Sequence, residues 1–397
     1  WSQHNHNTLV LARSGAGKSY LVKLDILRSL YSGVRVAVID PEDEYPPLAA
    51  AVAGVTIALG VPGVRINPLD IPQTGPRTQP TDDSSGDPLT RRALFCHTLI
   101  AVLLGEQPPP QERAMLDTAI AAAYQSAGIT TDPTTWGRPA PLLADVEAAL
   151  TASPDTAARS LATRLRPWTK GSFKGLFDGP TTTTPTGRLV VWSVRHLPDE
   201  LRAAGMLIAL DAIWRDVDHP APAGNRTRAA RRLVVVDEAW TLLRDAEGAR
   251  FLYRLAKAAR KRHAGLVVVT QDAEDLLTSD LGKAVAANAA TQILMRQAPQ
   301  AIDTITTAFG LTPTETRVLR AAPRGHGLLL GGSQRVAFEA VSSPREHQLC
   351  RGAGEGDEHA TGPASSHASS HASSHDTSLA NAPGHQHDPR QDQAWTP

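Results

Sequence analysis

Ala12-Arg13-Ser14-Gly15-Ala16-Gly17-Lys18-Ser19 is the stretch that decides the fold, because of what flanks it. An apolar run at 8–13 leads into it, and Leu21, Leu24, Leu27 and Leu30 follow at helical spacing up to Gly33. Val34, Val36, Val38 and Ile39 then form a second apolar run. Strand, glycine-bearing turn, helix and strand in that order make an α/β unit. Unbroken apolar strands predict a parallel sheet covered on both faces, with the helix as a right-handed crossover.

The turn has the composition of a phosphate-binding loop, except that Ala12 stands where the leading glycine is usual. Gly15 and Gly17 let backbone N–H groups turn inward around phosphate oxygens, and the helix N-terminus adds a positive dipole. Lys18 is placed to reach the β- and γ-phosphates, and Ser19 to ligate Mg2+. Ser14, Gly15, Ala16, Gly17, Lys18, Ser19 and Tyr20 are therefore the expected nucleotide cradle. Ala12 is tolerable provided its φ stays negative.

Further strand signals fall at 189–194, 233–236, 266–270, 293–295 and 328–330, with 336–341 as a final edge strand. Between the early and late strands, helical periodicity runs from Leu89 to about Lys170. The predicted fold is an α/β doubly wound, mostly parallel sheet interrupted by an all-helical subdomain. Its parts are 1–72, the first piece of the nucleotide domain; 73–187, a polar linker and helical insertion; 188–350, the second piece; and 351–397, a disordered tail. The tail repeats SSHASSHASSH and has almost nothing apolar to offset the entropy of ordering. His367, His371 and His375 in it are expected to have only adventitious metal affinity. The chain opens on Trp1 with a strand close behind, so a further region ahead of it is expected.

A second constellation completes the first. Leu233-Val234-Val235-Val236-Asp237-Glu238 is a buried strand delivering two carboxylates at its C-terminal end, where ligands of open α/β sheets collect. Asp237 is expected to hold Mg2+ with Ser19, and Glu238 to act as general base on the attacking water. Leu266-Val267-Val268-Val269-Thr270-Gln271 ends in a polar pair, with Gln271 placed to sense the γ-phosphate. Arg260-Lys261-Arg262-His263 is either a dipole-compensating charge cluster or, at a subunit boundary, a source of an arginine for a neighbour's γ-phosphate; Arg296 is a second candidate. Asp40, Glu42 and Glu44 read as a solvated loop, Trp168, Trp192, Trp214 and Trp240 as packing residues, and Arg226, Arg228, Arg231 and Arg232 as a solvated basic run.

Across 397 residues, Lys plus Arg and Asp plus Glu are each 40, so no global positive field exists to hold nucleic acid. Any DNA contact has to be local. The two cysteines, Cys96 and Cys350, fit neither a disulfide framework nor a zinc site. The apolar stretch at 48–64 is broken by Gly60, Pro62 and Gly63 and reads as a buried helix and strand.

Taken in order, Ser14-Gly15-Ala16-Gly17-Lys18-Ser19, Ile66-Asn67-Pro68-Leu69, Val236-Asp237-Glu238-Ala239-Trp240, Arg260-Lys261, Thr270-Gln271 and Ile293-Leu294-Met295-Arg296-Gln297 resemble the ATPases of type IV secretion and conjugation systems, the TraC/TrbE-like (VirB-type) class. The resemblance spans about residues 7–349. It implies a RecA-like motor domain that hydrolyses ATP with Mg2+ and assembles as a homohexamer. It also implies a cytoplasmic location at the inner face of the cell membrane, held there by other secretion-channel subunits, in pilus assembly or substrate transfer. By the same resemblance Arg260 aligns with the trans-acting arginine. The N-terminal domain through which such proteins meet the membrane complex is absent from the pattern, and the tail is no part of it. Two other functions share the residues: a DNA-translocating ATPase of the FtsK/HerA or coupling-protein type, and a non-hydrolysing nucleotide-bound scaffold.

Overall fold

A computed structural model describes residues 5–71, 88–177, 179–183, 185–218 and 231–351. The linker at 73–87, Arg226, Arg228 and the histidine repeat of the tail lie outside the described residues.

The strands are β1 (Thr8–Leu11), β2 (Arg35–Asp40), β3 (Val55–Ala58), β4 (Leu189–Ser193), β5 (Arg232–Val236), β6 (Ala264–Thr270), β7 (Thr291–Met295), β8 (His326–Gly331) and β9 (Gln334–Glu339). They form one sheet in the order β3-β4-β2-β5-β6-β1-β7-β8-β9. β1 to β7 pair in parallel, whereas β8 and β9 run antiparallel at one edge. The mostly parallel α/β sheet expected from the apolar runs is thus the observed one.

Burial follows the strand period. On β5 and β6, Leu233, Val235, Val267 and Val269 face a core shared with Val22, Ile26, Leu27 and Leu30 of the helix Lys18–Tyr31. The intervening Val234, Val236, Leu266 and Val268 face the opposite core with Phe95, Leu99, Leu207 and Leu252. All seven residues of β6 are buried, which is why its sequence is continuously apolar rather than alternating. Each fully buried Val or Leu contributes roughly 1.5–3 kcal/mol, so the central strands are rigid supports for whatever their ends carry.

Between β3 and β4 the described elements are helical, chiefly Pro88–Leu104, Pro110–Ser126, Leu143–Ala152 and Thr156–Thr169. Leu116, Ile120, Val146, Leu150, Leu161 and Leu165 of these helices belong to the same core cluster as the sheet face beneath. The joint is the Asn67-Pro68-Leu69 segment. Asn67 donates through Nδ2 to the Pro141 carbonyl and accepts the Leu69 N–H, each at 3.0 Å. Tyr124 Oη donates to the Leu69 carbonyl at 2.6 Å. Arg92 donates to the Pro68 carbonyl at 3.3 Å and grips Asp211 bidentately at 2.8 and 2.6 Å. Burial opposes the Arg92 charge, but the Asp211 carboxylate outweighs it and keeps the guanidinium protonated. A buried pair of this kind is costly to break and locks the helices onto the sheet.

Cys96 and Cys350 are buried and unbridged. No helix among the described residues is long and apolar enough to cross a membrane.

Candidate active site

β1 ends at Leu11, and the chain turns through 12–17 before the helix begins at Lys18. Ala12 is fully buried, and its N–H donates to the Thr270 carbonyl of β6 at 3.3 Å. Its φ is not positive, so a methyl group costs nothing where a glycine is usual. Gly15 and Gly17 do require glycine, with φ of 77° and 94°. Gly17 occupies the N-cap and no side chain caps the helix. The first-turn N–H groups and the positive end of the helix dipole are therefore offered to an anion.

β6 lies between β1 and β5, so two strand spacings, roughly 10 Å, separate the loop from Asp237 and Glu238. Lys18 closes that gap: its Nζ donates to Asp237 Oδ1 at 2.7 Å and to Glu238 Oε1 at 2.5 Å. Burial works against the lysine charge, yet the two carboxylates together raise its pKa above the ordinary lysine value. Asp237 Oδ1 also accepts the Glu238 N–H at 2.9 Å, and Trp240 Nε1 donates to Glu238 Oε2 at 2.8 Å. Desolvation and, less strongly, the neighbouring Asp237 charge push the Glu238 carboxyl above the usual glutamate range, against the pull of Lys18. A raised pKa suits a general base. Glu238 has a φ of 46°, a left-handed conformation that costs a non-glycine residue of order 1 kcal/mol and is held here by these contacts.

Two sequence readings need correction at this site. Asp40, read as part of a solvated loop, is fully buried at the end of β2. It accepts the N–H groups of Glu42 and Glu44 at 3.2 Å and of Tyr45 at 2.9 Å, and burial raises its carboxyl to about 6. That turn aims Tyr45, itself fully buried, so that its hydroxyl donates to Asp237 Oδ2 at 2.8 Å. Trp240, read as packing, is the donor to Glu238. The clue to Tyr45 was its position just past a strand end, beside three acids.

Gln271 is exposed immediately after β6, between the loop strand and the acid-pair strand. Tyr20 lies in the first helical turn, with its hydroxyl bonded to Ser342 and to His347 Nδ1. Arg260 is exposed in the turn just before β6, at the opposite end of that strand from Gln271. The Arg296 carbonyl accepts the Arg13 N–H at 2.9 Å, which places this residue at the mouth of its own loop. Arg232 pairs with Asp216.

Residues 4–80 match the family of the central domain of helicase HerA, and residues 225–325 match the TraG P-loop domain family. No curated protein sequence matches the chain. The solved structure of VirB4 of Thermoanaerobacter pseudethanolicus is similar over 87% of this chain and 91% of that one, with 28% identity and a TM-score of 0.76. The chain resembles the VirB4/TraC class of P-loop ATPases. The conjugative coupling protein TrwB shares the fold at 13% identity and a TM-score of 0.54. The coverage is 87% of each chain in its sulphate complex and 87% and 88% in its complex with ADP and Mg2+.

In this P-loop ATPase, the Asp40 turn gives Tyr45 a role no motif announces: it orients Asp237 and, through Asp237, Lys18. Tyr45→Phe removes one hydrogen bond to a buried carboxylate, an interaction of roughly 1.5–3 kcal/mol. The expected result is kcat/KM for ATP about tenfold lower. Wild-type kinetics in steady-state assays would reduce Tyr45 to a packing residue.

Proposed function

We propose that this chain hydrolyses MgATP as a homohexameric motor of a conjugation or type IV secretion apparatus, in substrate transfer or pilus assembly. The observation that carries the ATP reading is Lys18 held between Asp237 and Glu238, which joins the loop to the acid pair. The residues fit the cofactor. The loop from Ser14 to Tyr20 would hold the phosphates, Ser19 and Asp237 would supply hard oxygen ligands for Mg2+, and Lys18 would reach the β- and γ-phosphates. Bound Mg2+ neutralises phosphate charge. With nucleotide bound, Lys18 would be shared between the phosphates and the two carboxylates, and Glu238, oriented by Trp240, would take a proton from water. Gln271 senses the γ-phosphate from the end of β6.

Hexamer formation is supported by where Arg260 sits. The seven residues of β6 rise about 3.3 Å each, so roughly 20 Å separates Arg260 from the edge where β1 delivers the loop. Arg260 is out of reach of its own site and is proposed to serve a neighbour's γ-phosphate. In this reading 1–72 and 188–350 form the ATPase domain around an insertion at 73–187, followed by a tail at 351–397. The protein then works in the cytoplasm at the inner membrane face, through other channel subunits.

Subunit mixing tests the shared site. Lys18→Ala and Arg260→Ala subunits are each expected to be inactive alone and to regain hydrolysis when co-assembled, because some interfaces then pair an intact loop with an intact arginine. Co-assembly without recovery would remove the support for an arginine acting across the interface. The match of residues 4–80 to the HerA central domain keeps a DNA-translocating ATPase as the second reading. Strong stimulation of hydrolysis by DNA would favour it.

A further inference from the structure

We infer that Arg324 is a nucleotide-binding residue that closes the nucleoside end of the site within the same chain. The inference rests on the ATP reading of the loop at Lys18 and extends it to the wall opposite the acid pair.

The segment 322–325 joins the helix Pro313–Ala321 to β8. Because β8 is antiparallel to β7, it begins at the sheet edge where the parallel strands end, beside the phosphate loop. The Gly325 N–H donates to the Ala16 carbonyl at 2.9 Å, and the Gly325 carbonyl accepts the Ala340 N–H at 2.9 Å. The segment is thus strung between the loop and the end of the β8–β9 hairpin. Its approach is close: a Cβ on Gly17 would lie 3.1 Å from the Gly325 nitrogen and 3.3 Å from Arg324 Cγ. The last glycine of the loop is therefore needed for two reasons, its φ and the contact with Arg324.

The stem of Arg324 is held against the loop while its head is exposed, and no described residue is a hydrogen-bond or ion-pair partner of its guanidinium. Arg335, across the same hairpin, is by contrast tied to the carbonyls of Phe309 and Gly310 and to Glu315. A guanidinium with an anchored stem and unused donors beside a phosphate loop is arranged for an anion. Arg296 adds a second cation on this side of β1, with its Nε buried and without a hydrogen-bond partner among the described residues.

Position decides which part of the ligand Arg324 meets. Asp237 and Glu238 lie beyond β6 on one side of β1, and Arg324 lies beyond β7 on the other. The acid pair marks the side where the γ-phosphate meets water, so the polyphosphate runs away from it and the nucleoside end leaves toward β7 and β8. Arg324 therefore contacts the α-phosphate and nucleoside of a nucleoside di- or triphosphate, parts that ADP and ATP share.

The test is equilibrium binding of ADP and ATP to the full chain as wild type, Arg324→Ala, Arg324→Lys and Lys18→Ala, with thermal unfolding as the check on folding. Arg324→Ala is expected to weaken ADP and ATP alike by roughly tenfold, the scale of one charge-assisted hydrogen bond. Arg324→Lys should recover part of that loss. ADP affinity unchanged in Arg324→Ala but lost in Lys18→Ala would overturn the inference and leave the ATP reading intact. A loss confined to ATP would place Arg324 at the γ-phosphate and also overturn it. Wild-type protein that binds neither nucleotide would overturn both.

Discussion

Glu238→Gln is expected to bind ATP about as tightly as the wild type and to hydrolyse it roughly 10²–10⁴-fold more slowly, the usual contribution of a positioned general base. The substitution preserves shape. Oε1 can still accept from Lys18 or Trp240, and the left-handed backbone at 238 is unchanged. What disappears is the ability to take a proton. Removing one negative charge also relieves the repulsion between two buried carboxylates, so the variant should unfold at a temperature no lower than the wild type. Binding by equilibrium titration and turnover by steady-state assay separate the two effects. Binding retained with turnover unchanged would remove Glu238 as the base.

Lys18→Ala should lose both binding and turnover, the latter by roughly 10²–10³-fold or more, since its proposed role is to stabilise charge on the phosphates in ground and transition states alike. It also leaves Asp237 and Glu238 buried without their cation. Removing one partner of a buried ion pair costs about 3–5 kcal/mol, tempered here because Tyr45 and Trp240 still donate to those carboxylates. A lowered unfolding temperature is therefore part of the expectation, and nucleotide titration on folded protein is the decisive readout. Full ATP affinity in Lys18→Ala would contradict the assignment of the loop.

The fold was legible because the central strands are buried on both faces and so are written as unbroken apolar runs, as in Val234 to Val236 and Leu266 to Val269. The loop was legible because its glycines and its Lys-Ser pair are local. Strand order was not, since nothing local tells β1 that it will lie between β6 and β7. The role of Asn67 was equally hidden: as a signature it is three letters, and only packing shows it tying the helical segment to the sheet. Asp40 and Tyr45 were obscured by Glu42, Asp43 and Glu44, which make the stretch look uniformly solvated. One carboxylate of that run turns inward to organise the turn. Arg324 carried no local signal, because the glycine it touches lies at the other end of the chain sequence.

The most direct test of a motor whose sites are completed between subunits is MgATP hydrolysis per subunit as protein concentration rises, with light scattering on the same samples and DNA added in parallel. The specific rate is expected to climb as subunits assemble and to be indifferent to DNA. A rate per subunit that stays constant from monomer to oligomer would contradict it.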